Sequence, residues 1–573
     1  MAVTGAAVGF PFPQGCTVEG QTVNFSVAVP EGQTCELIIY KKGARASAFS
    51  QEMPYSDVAG NLHFLSVVLE QPEDYEYCYK IGGKIVPDPY GKAFSGREHW
   101  SVSQGKEKRK LRTRIVTDTF DWGKSQFPHL KKEDVIAYSL HVRGFTKDTH
   151  SKVKNKGTFQ GVIEKIPYLK DLGINQIQCM PVYEFEEAGV RVNYWGYGPG
   201  YYFAPKSAYA KDGDGVKGLK DLVKCCHKAG IEVVLEMPFS EGVSGLMVTD
   251  CLRNYVMEYH VDGFILNPYN VPMDIILKDP ILSGVRILRH AEEFQNVMRR
   301  FLKGDEGVVT DVMYQTRKRW DLEGIYNCIT THTGFTLKDL VSYDGKHNEA
   351  NGENNQDGPD YNYSWNCGAE GLTRKKAVLE LRKNQMRNAM FLLLLSQGVP
   401  CILAGDEFAN SQKGNNNVYC QDNPIGWLNW RNLLKEQEMY QFVKQLIKFR
   451  KKYRLFHHEK ELLGIDQSGC GMPDVSYHGE MAWRASTEVA SRQIGIYYSS
   501  QDKEEADCFV AYNMHWLEHE FALPALKKGR KWYRAASTKE GILKDLVVLE
   551  NQRNIELDER EIVVLVSGKG ETV

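Results

Sequence analysis

The chain has 573 residues, 42% of them hydrophobic and 25% charged, and its 71 basic and 73 acidic side chains leave a net charge of −2. Such a length exceeds one ordinary core and predicts about two to four domains. The near-balanced charge excludes nucleic acid and a charged membrane surface as expected partners. No apolar run reaches the roughly 18 to 20 residues that span a bilayer, and MAVTGAAVGFPFPQG lacks the basic-then-apolar order of an export leader, so a cytoplasmic location is the expectation. The 13 cysteines include no C-x-x-C pair. They read as small buried residues of a reducing compartment, with a single reactive thiol left open, and imply neither a disulfide framework nor a metal or other cofactor.

In chain order, residues 1–125 carry short alternating runs, Val23–Val29, Glu36–Tyr40 and Tyr75–Ile81, broken by Gly, Pro and Asp; this pattern predicts a β-sandwich. Tyr75, Tyr77 and Tyr79 share one face of their strand, either as core or as a platform for sugar rings. Residues 126–455 alternate apolar strands with amphipathic stretches, the sign of βα units. Eight candidate strands, Val135–Val142, Ile174–Val182, Ile231–Met237, Val261–Leu266, Val285–Leu288, Gly307–Met313, Ile325–Ile329 and Pro400–Ala404, fit a (β/α)8 TIM barrel. Between them, Gly161–Leu172 predicts a helix closed by Gly173, and a long helix is expected around Lys375–Leu395. Residues 456–573 return to alternation with Gly and Pro punctuation, predicting a second sandwich.

Three runs, Asn193–Ala204 (NYWGYGPGYYFA), Gly334–Gly371 (GFTLKDLVSYDGKHNEANGENNQDGPDYNYSWNCGAEG) and Gly414–Trp430 (GNNNVYCQDNPIGWLNW), closely resemble the isoamylase, glycogen-debranching and pullulanase branch of the α-amylase family (glycoside hydrolase family 13). The phrase Gly82–Tyr90 is similar to the end of the glycogen-binding-module-like domain that precedes the barrel in those enzymes. The resemblance implies an α-glucan such as glycogen, starch or maltooligosaccharides as partner. It also implies a retaining mechanism with two carboxylates about 5 to 5.5 Å apart, assisted by a third.

The positions that the resemblance assigns to that chemistry hold other residues. The nucleophile phrase reads Gly263-Phe264-Ile265-Leu266-Asn267, so Asn267 stands for the nucleophile and Ile265 for its supporting Arg. The third carboxylate is replaced by Thr333, after His332, and a subsite histidine by Glu241 in Glu236-Met237-Pro238-Phe239-Ser240-Glu241. The acid/base should follow the fifth strand, but Val285–Leu288 runs through Arg289, His290 and Ala291 into Glu292, Glu293 and a helix. The excursions that the family inserts after the third and fifth strands are missing. Tyr194, Trp195, Tyr197 and His332, with Asn267, keep part of a sugar platform or else pack the barrel mouth. The Asn- and Gly-rich runs fix loop geometry. Met237, Pro238, Ile265 and Tyr269 are expected to fill the vestigial subsite.

These substitutions imply a catalytically degenerate debranching homologue that binds α-glucan, partners an active debranching relative or self-associates. Two rivals stay open: an active α-1,6-glucosidase using Glu236, Glu241, Glu292 or Glu293, and an interaction scaffold that binds no glucan.

Overall fold

The protein is described by a computed structural model that covers residues 3–100, 111–117, 120–502 and 505–569. In the N-terminal part, Val3–Val8, Leu62–Leu69, Thr22–Ala28 and Gly15–Glu19 form one antiparallel sheet. A second sheet is centred on Cys35–Lys41 and Tyr75–Ile81. Alternate residues of each face inward, so Val23, Phe25, Leu65 and Val67 meet Leu37, Ile39, Tyr77 and Tyr79 in one core. Tyr75, Tyr77 and Tyr79 are at most 5% exposed. The Tyr77 and Tyr79 hydroxyls donate to Asp88 Oδ2 at 2.7 and 3.2 Å, which identifies these tyrosines as core and removes the sugar-platform reading.

The central sheet is parallel and contains β1 (Ala137–Leu140), β2 (Gln176–Cys179), β3 (Glu232–Glu236), β4 (Gly263–Ile265), β5 (Arg286–Leu288) and β6 (Cys401–Leu403), in the order β5-β4-β3-β2-β1-β6. Parallel strands covered on both faces are apolar throughout, and Val233, Val234 and Leu235 of β3 are fully buried. Six of the eight expected strands are therefore formed among the described residues. The expected strand Gly307–Met313 is instead part of a helix, α3 (Val309–Arg317). Its buried residues Val309, Val312 and Thr316 recur at helical spacing, a period that outweighs the β-branched composition. Ile325–Ile329 contributes one parallel bridge, Asn327 to Pro400. Arg289 N donates to Gly324 O at 2.8 Å, so this segment lies beside β5 where a sixth barrel strand was expected.

Around the sheet pack α1 (Gly245–Tyr259), α2 (Glu293–Lys303), α4 (Lys376–Leu394) and α5 (Gln437–Lys452). The helix expected over Gly161–Leu172 is two short ones, Phe159–Glu164 and Ile166–Leu172. The break falls just before Pro167, which has no N–H to continue the first helix. Gly173 closes the second at φ 104°, donating to Leu169 O and Lys170 O. At the C-terminal end a six-stranded antiparallel sheet built on Gln493–Tyr498, Cys508–Asn513 and Glu561–Lys569 packs one face on α4 and α5. Its other face meets the pair His519–Ala522 and Asn554–Leu557 through Phe509, Phe521, Trp532 and Leu557. All 13 cysteines are free thiols. Among the described residues no helix is long and apolar enough to cross a membrane, and no acidic, His and Cys group is arranged to hold a metal.

Candidate functional site

The C-terminal ends of β3, β4 and β5 and the turn after Asn327 converge on one mouth, the place where a barrel scaffold builds its chemistry. β3 ends on Glu236, buried with 7% exposure. The loop Asn193–Gly198 delivers Tyr197 to it. Asn193 Oδ1 accepts from Gly196 N and its Nδ2 donates to Tyr197 O, both at 2.9 Å. Gly196 takes φ 84°, and a Cβ there would lie 2.4 Å from the Phe185 ring, so only glycine fits.

The Tyr197 hydroxyl sits 2.6 Å from Glu236 Oε1 and 2.5 Å from His332 Nε2. A phenol has one hydrogen, so its donation to Glu236 requires His332 to carry its proton on Nε2 and donate to the phenolic oxygen. His290 Nε2 approaches the same carboxylate at 3.4 Å. Burial opposes the charge on Glu236, but the His332 ring, His290 and the Tyr197 hydroxyl outweigh it and hold the carboxyl at about 2. Burial lowers the pKa of His332. Desolvation also acts against the His290 cation, yet the contact with Glu236 prevails and its pKa is raised. The arrangement is a buried carboxylate held as an anion by a phenol and an imidazole at the rim.

The other expected site residues are placed differently. Asn267 is exposed, with Oδ1 accepting from Tyr269 N at 3.1 Å in a local turn. Thr333 is exposed beside Thr331, the two hydroxyls 3.2 Å apart. Ile265 is buried against Val234 and Leu288. Glu241, Glu292 and Glu293 are exposed. A cavity of about 630 Å³ at the mouth is lined by Glu236, Asn267, Arg289, His290, Glu292 and Glu293 among others. The links that would wall it are short, residues 237–244 from β3 to α1 and residues 289–292 from β5 to α2.

Tyr194 and Trp195 lie in a buried cluster with Met180 and Val418, 1% and 5% exposed. The Tyr194 hydroxyl donates to Gly426 O at 3.1 Å, and its ring lies 4.1 Å from that of His141. His141 Nδ1 accepts from Gly144 N and Nε2 meets Tyr194 O, while burial pushes its pKa down to about 3. These rings offer almost no open face. Of the residues expected to fill the vestigial subsite, Met237 and Ile265 are buried and Pro238 is half-buried, whereas Tyr269 is 93% exposed and fills nothing. With its neighbour Asn267 turned to solvent, β4's continuation leads Tyr269 outward.

The Asn-rich run works through its amides. Asn348 Nδ2 donates to Asp357 O and Asn416 Oδ1, Asn351 Nδ2 to Asn417 O, and Asn416 Nδ2 to Pro359 O, all between 2.8 and 2.9 Å. Beneath it Arg143 holds Asp422 in a two-pronged pair at 2.8 and 2.9 Å.

Sequence reasoning singled out neither Arg289 nor His290 for a role. Both occupy the place directly after β5, where a carboxyl was sought, and their position next to the strand end was the available signal.

A model of the α-amylase catalytic domain matches residues 141–240. Isoamylase 1 (chloroplastic) of Arabidopsis thaliana is 30% identical over 91% of this chain and 84% of its own. The alignment runs over 674 positions, more than this chain's 573 residues, so that relative carries segments absent here. A glycogen operon protein GlgX homolog of Mycobacterium tuberculosis is 26% identical over 93% of each chain. Among solved structures, the catalytic module of the glycogen-degrading pneumococcal virulence factor SpuA superimposes with a TM-score of 0.75 at 16% identity, covering 99% of this chain and 98% of that one. This last likeness establishes a shared multidomain fold with sheet-rich flanking domains.

Proposed function

Because the chain belongs to the isoamylase, glycogen-debranching and pullulanase branch of the α-amylase family, we propose that it is a member that does not hydrolyse, and that it holds α-glucan or seats beside an active debranching relative. The central sheet is then the family barrel with its sixth strand lost. One observation carries the reading: the three strand ends that should supply the nucleophile, the acid and the third carboxylate present the amide Asn267, the guanidinium of Arg289 and the hydroxyl of Thr333, and the buried carboxylate beside them, Glu236, is held as an anion. An amide forms no glycosyl ester. A carboxyl held at about 2 supplies no proton near neutrality, where a general acid needs a pKa close to the working pH. Loss of one member of a catalytic group costs roughly 10⁴ to 10⁶ in rate, and here the group as a whole is replaced.

One observation favours the rival enzyme: Glu292 and Glu293 line the same cavity as Glu236. Both stand exposed at the start of α2, however, where acidic residues are ordinary occupants of a helix N-terminus.

The test measures linear-chain release from glycogen and pullulan alongside glycogen co-sedimentation on one preparation. Binding without release is expected. Release that disappears in Glu236→Gln or Glu292→Gln but persists in a surface control such as Glu31→Gln would overturn the proposal.

A further inference from the structure

The mouth offers an open aromatic face in a residue to which the family resemblance gives no role. Tyr194 and Trp195, the rings expected to carry a sugar, are 1% and 5% exposed, whereas Tyr269 is 93% exposed at the edge of the cavity of about 630 Å³. A single exposed tyrosine is ordinary on a protein surface. Two features of its surroundings give this one a use.

The first is that the backbone carrying the ring is fixed. Asn267 Oδ1 accepts from Tyr269 N, and Asn267 O accepts from Asn270 N, both at 3.1 Å. Asn270 Nδ2 donates to Phe239 O at 3.0 Å, which ties this turn to the link that follows β3. The main chain under the ring is therefore set before any ligand arrives, and stacking on the ring costs little in ordering.

The second is the mixture of polar groups in the same cavity, and it selects the ligand. The lining carries both signs: the carboxylates of Glu236, Glu292 and Glu293, the guanidinium of Arg289 and the imidazole of His290. An anionic ligand would meet the carboxylates and a cationic one would meet Arg289, and like charges brought together are disfavoured. A neutral ligand rich in hydroxyls avoids both conflicts, because a hydroxyl donates to a carboxylate and accepts from a guanidinium or an amide. Asn267 adds such an amide, since its Nδ2 has no protein partner among the described residues. A sugar chain joins hydroxyl edges of this kind to an apolar C–H face that stacks on the face of an aromatic ring.

We propose that Tyr269 is the aromatic platform of a glucan-binding site on the rim of the mouth. A glucose ring lies on its phenol, the sugar hydroxyls bond to Asn267 Nδ2, Arg289 and the carboxylates of Glu292 and Glu293, and the buried rings of Tyr194 and Trp195 take no part. The site rests on the reading that the chain holds α-glucan, and it moves the platform from the inherited position to the turn after β4. It requires no hydrolysis.

The test is isothermal titration calorimetry of maltoheptaose into the full chain, into Tyr269→Ala and Tyr269→Trp variants, and into a control, Tyr55→Ala, whose tyrosine is 64% exposed on the N-terminal sandwich. Substitutions at side chains this exposed rarely disturb folding. Tyr269→Ala is expected to weaken binding about tenfold, the size of one lost aromatic contact. Tyr269→Trp should keep the affinity, and Tyr55→Ala should leave it unchanged. Native affinity in Tyr269→Ala, or a Tyr269→Trp variant as weak as Tyr269→Ala, would overturn this site and leave the glucan reading standing. A native chain that binds neither maltoheptaose nor glycogen would overturn both.

Discussion

Replacing Glu236 by Gln tests the electrostatics of the mouth. The native carboxyl titrates at about 2 against an ordinary 4.5, and each unit of that difference corresponds to about 1.4 kcal/mol between protonation states. Ionised Glu236 therefore contributes about 3 kcal/mol. The folded pKa is depressed, so this stability is fully present above about pH 4.5 and is lost as pH falls through 2. The Gln variant keeps the volume but not the charge. In urea unfolding followed by tryptophan fluorescence, it should be less stable than the native chain by about 3 kcal/mol at pH 7, and by about 1 kcal/mol at pH 3. A variant as stable as the native chain at pH 7, or a difference that does not shrink with acid, would refute the assignment of Glu236 as an anion held by Tyr197, His290 and His332.

Asn267→Asp should release no chains from pullulan in a reducing-end assay, because Arg289 still stands where the acid is needed; measurable turnover would expose a hidden acid. Arg143→Met should cost about 1 to 3 kcal/mol by leaving half-buried Asp422 with only the Trp427 Nε1 donor, and the double change with Asp422→Leu should recover part of that in the same urea experiment. Gly324→Ala should destabilise by about 1 to 3 kcal/mol through its φ of 74° and the crowding on Ile287 O, measured as a lowered unfolding midpoint.

Much of the architecture could be read from residue pattern because the signals were long or strongly periodic. Strands such as Ile231–Met237, apolar on both faces, could hardly be anything but parallel core, and the inward tyrosines of Tyr75–Ile81 kept strict alternation. The run Gly307–Met313 reads as a strand because a short apolar stretch fits either period; burial of Val309, Val312 and Thr316 identifies it as helix. At the mouth, the departures from the family's phrases were legible position by position, since Asn267 and Thr333 sit in recognisable phrases. What the fold gathers around them was not. The grouping of Tyr197, Glu236, His290 and His332 joins residues separated by as much as 135 positions, and no local pattern reports a contact of that range. The outward turn of Tyr269 was equally hidden, because it depends on where the chain goes after β4 rather than on the residue.

The amide lattice of Asn348, Asn351 and Asn416 has a consequence for recognition. Its amides bond to one another, to backbone carbonyls and to Asp357 Oδ2, which accepts from Asn351 Nδ2 at 2.7 Å and from Asn417 Nδ2 at 2.9 Å. A rim knit mainly by amide-to-amide and amide-to-backbone bonds is screened by salt far less than a rim made of ion pairs. Whatever settles there meets a surface already in shape, so little of its affinity is spent on bringing the rim to order.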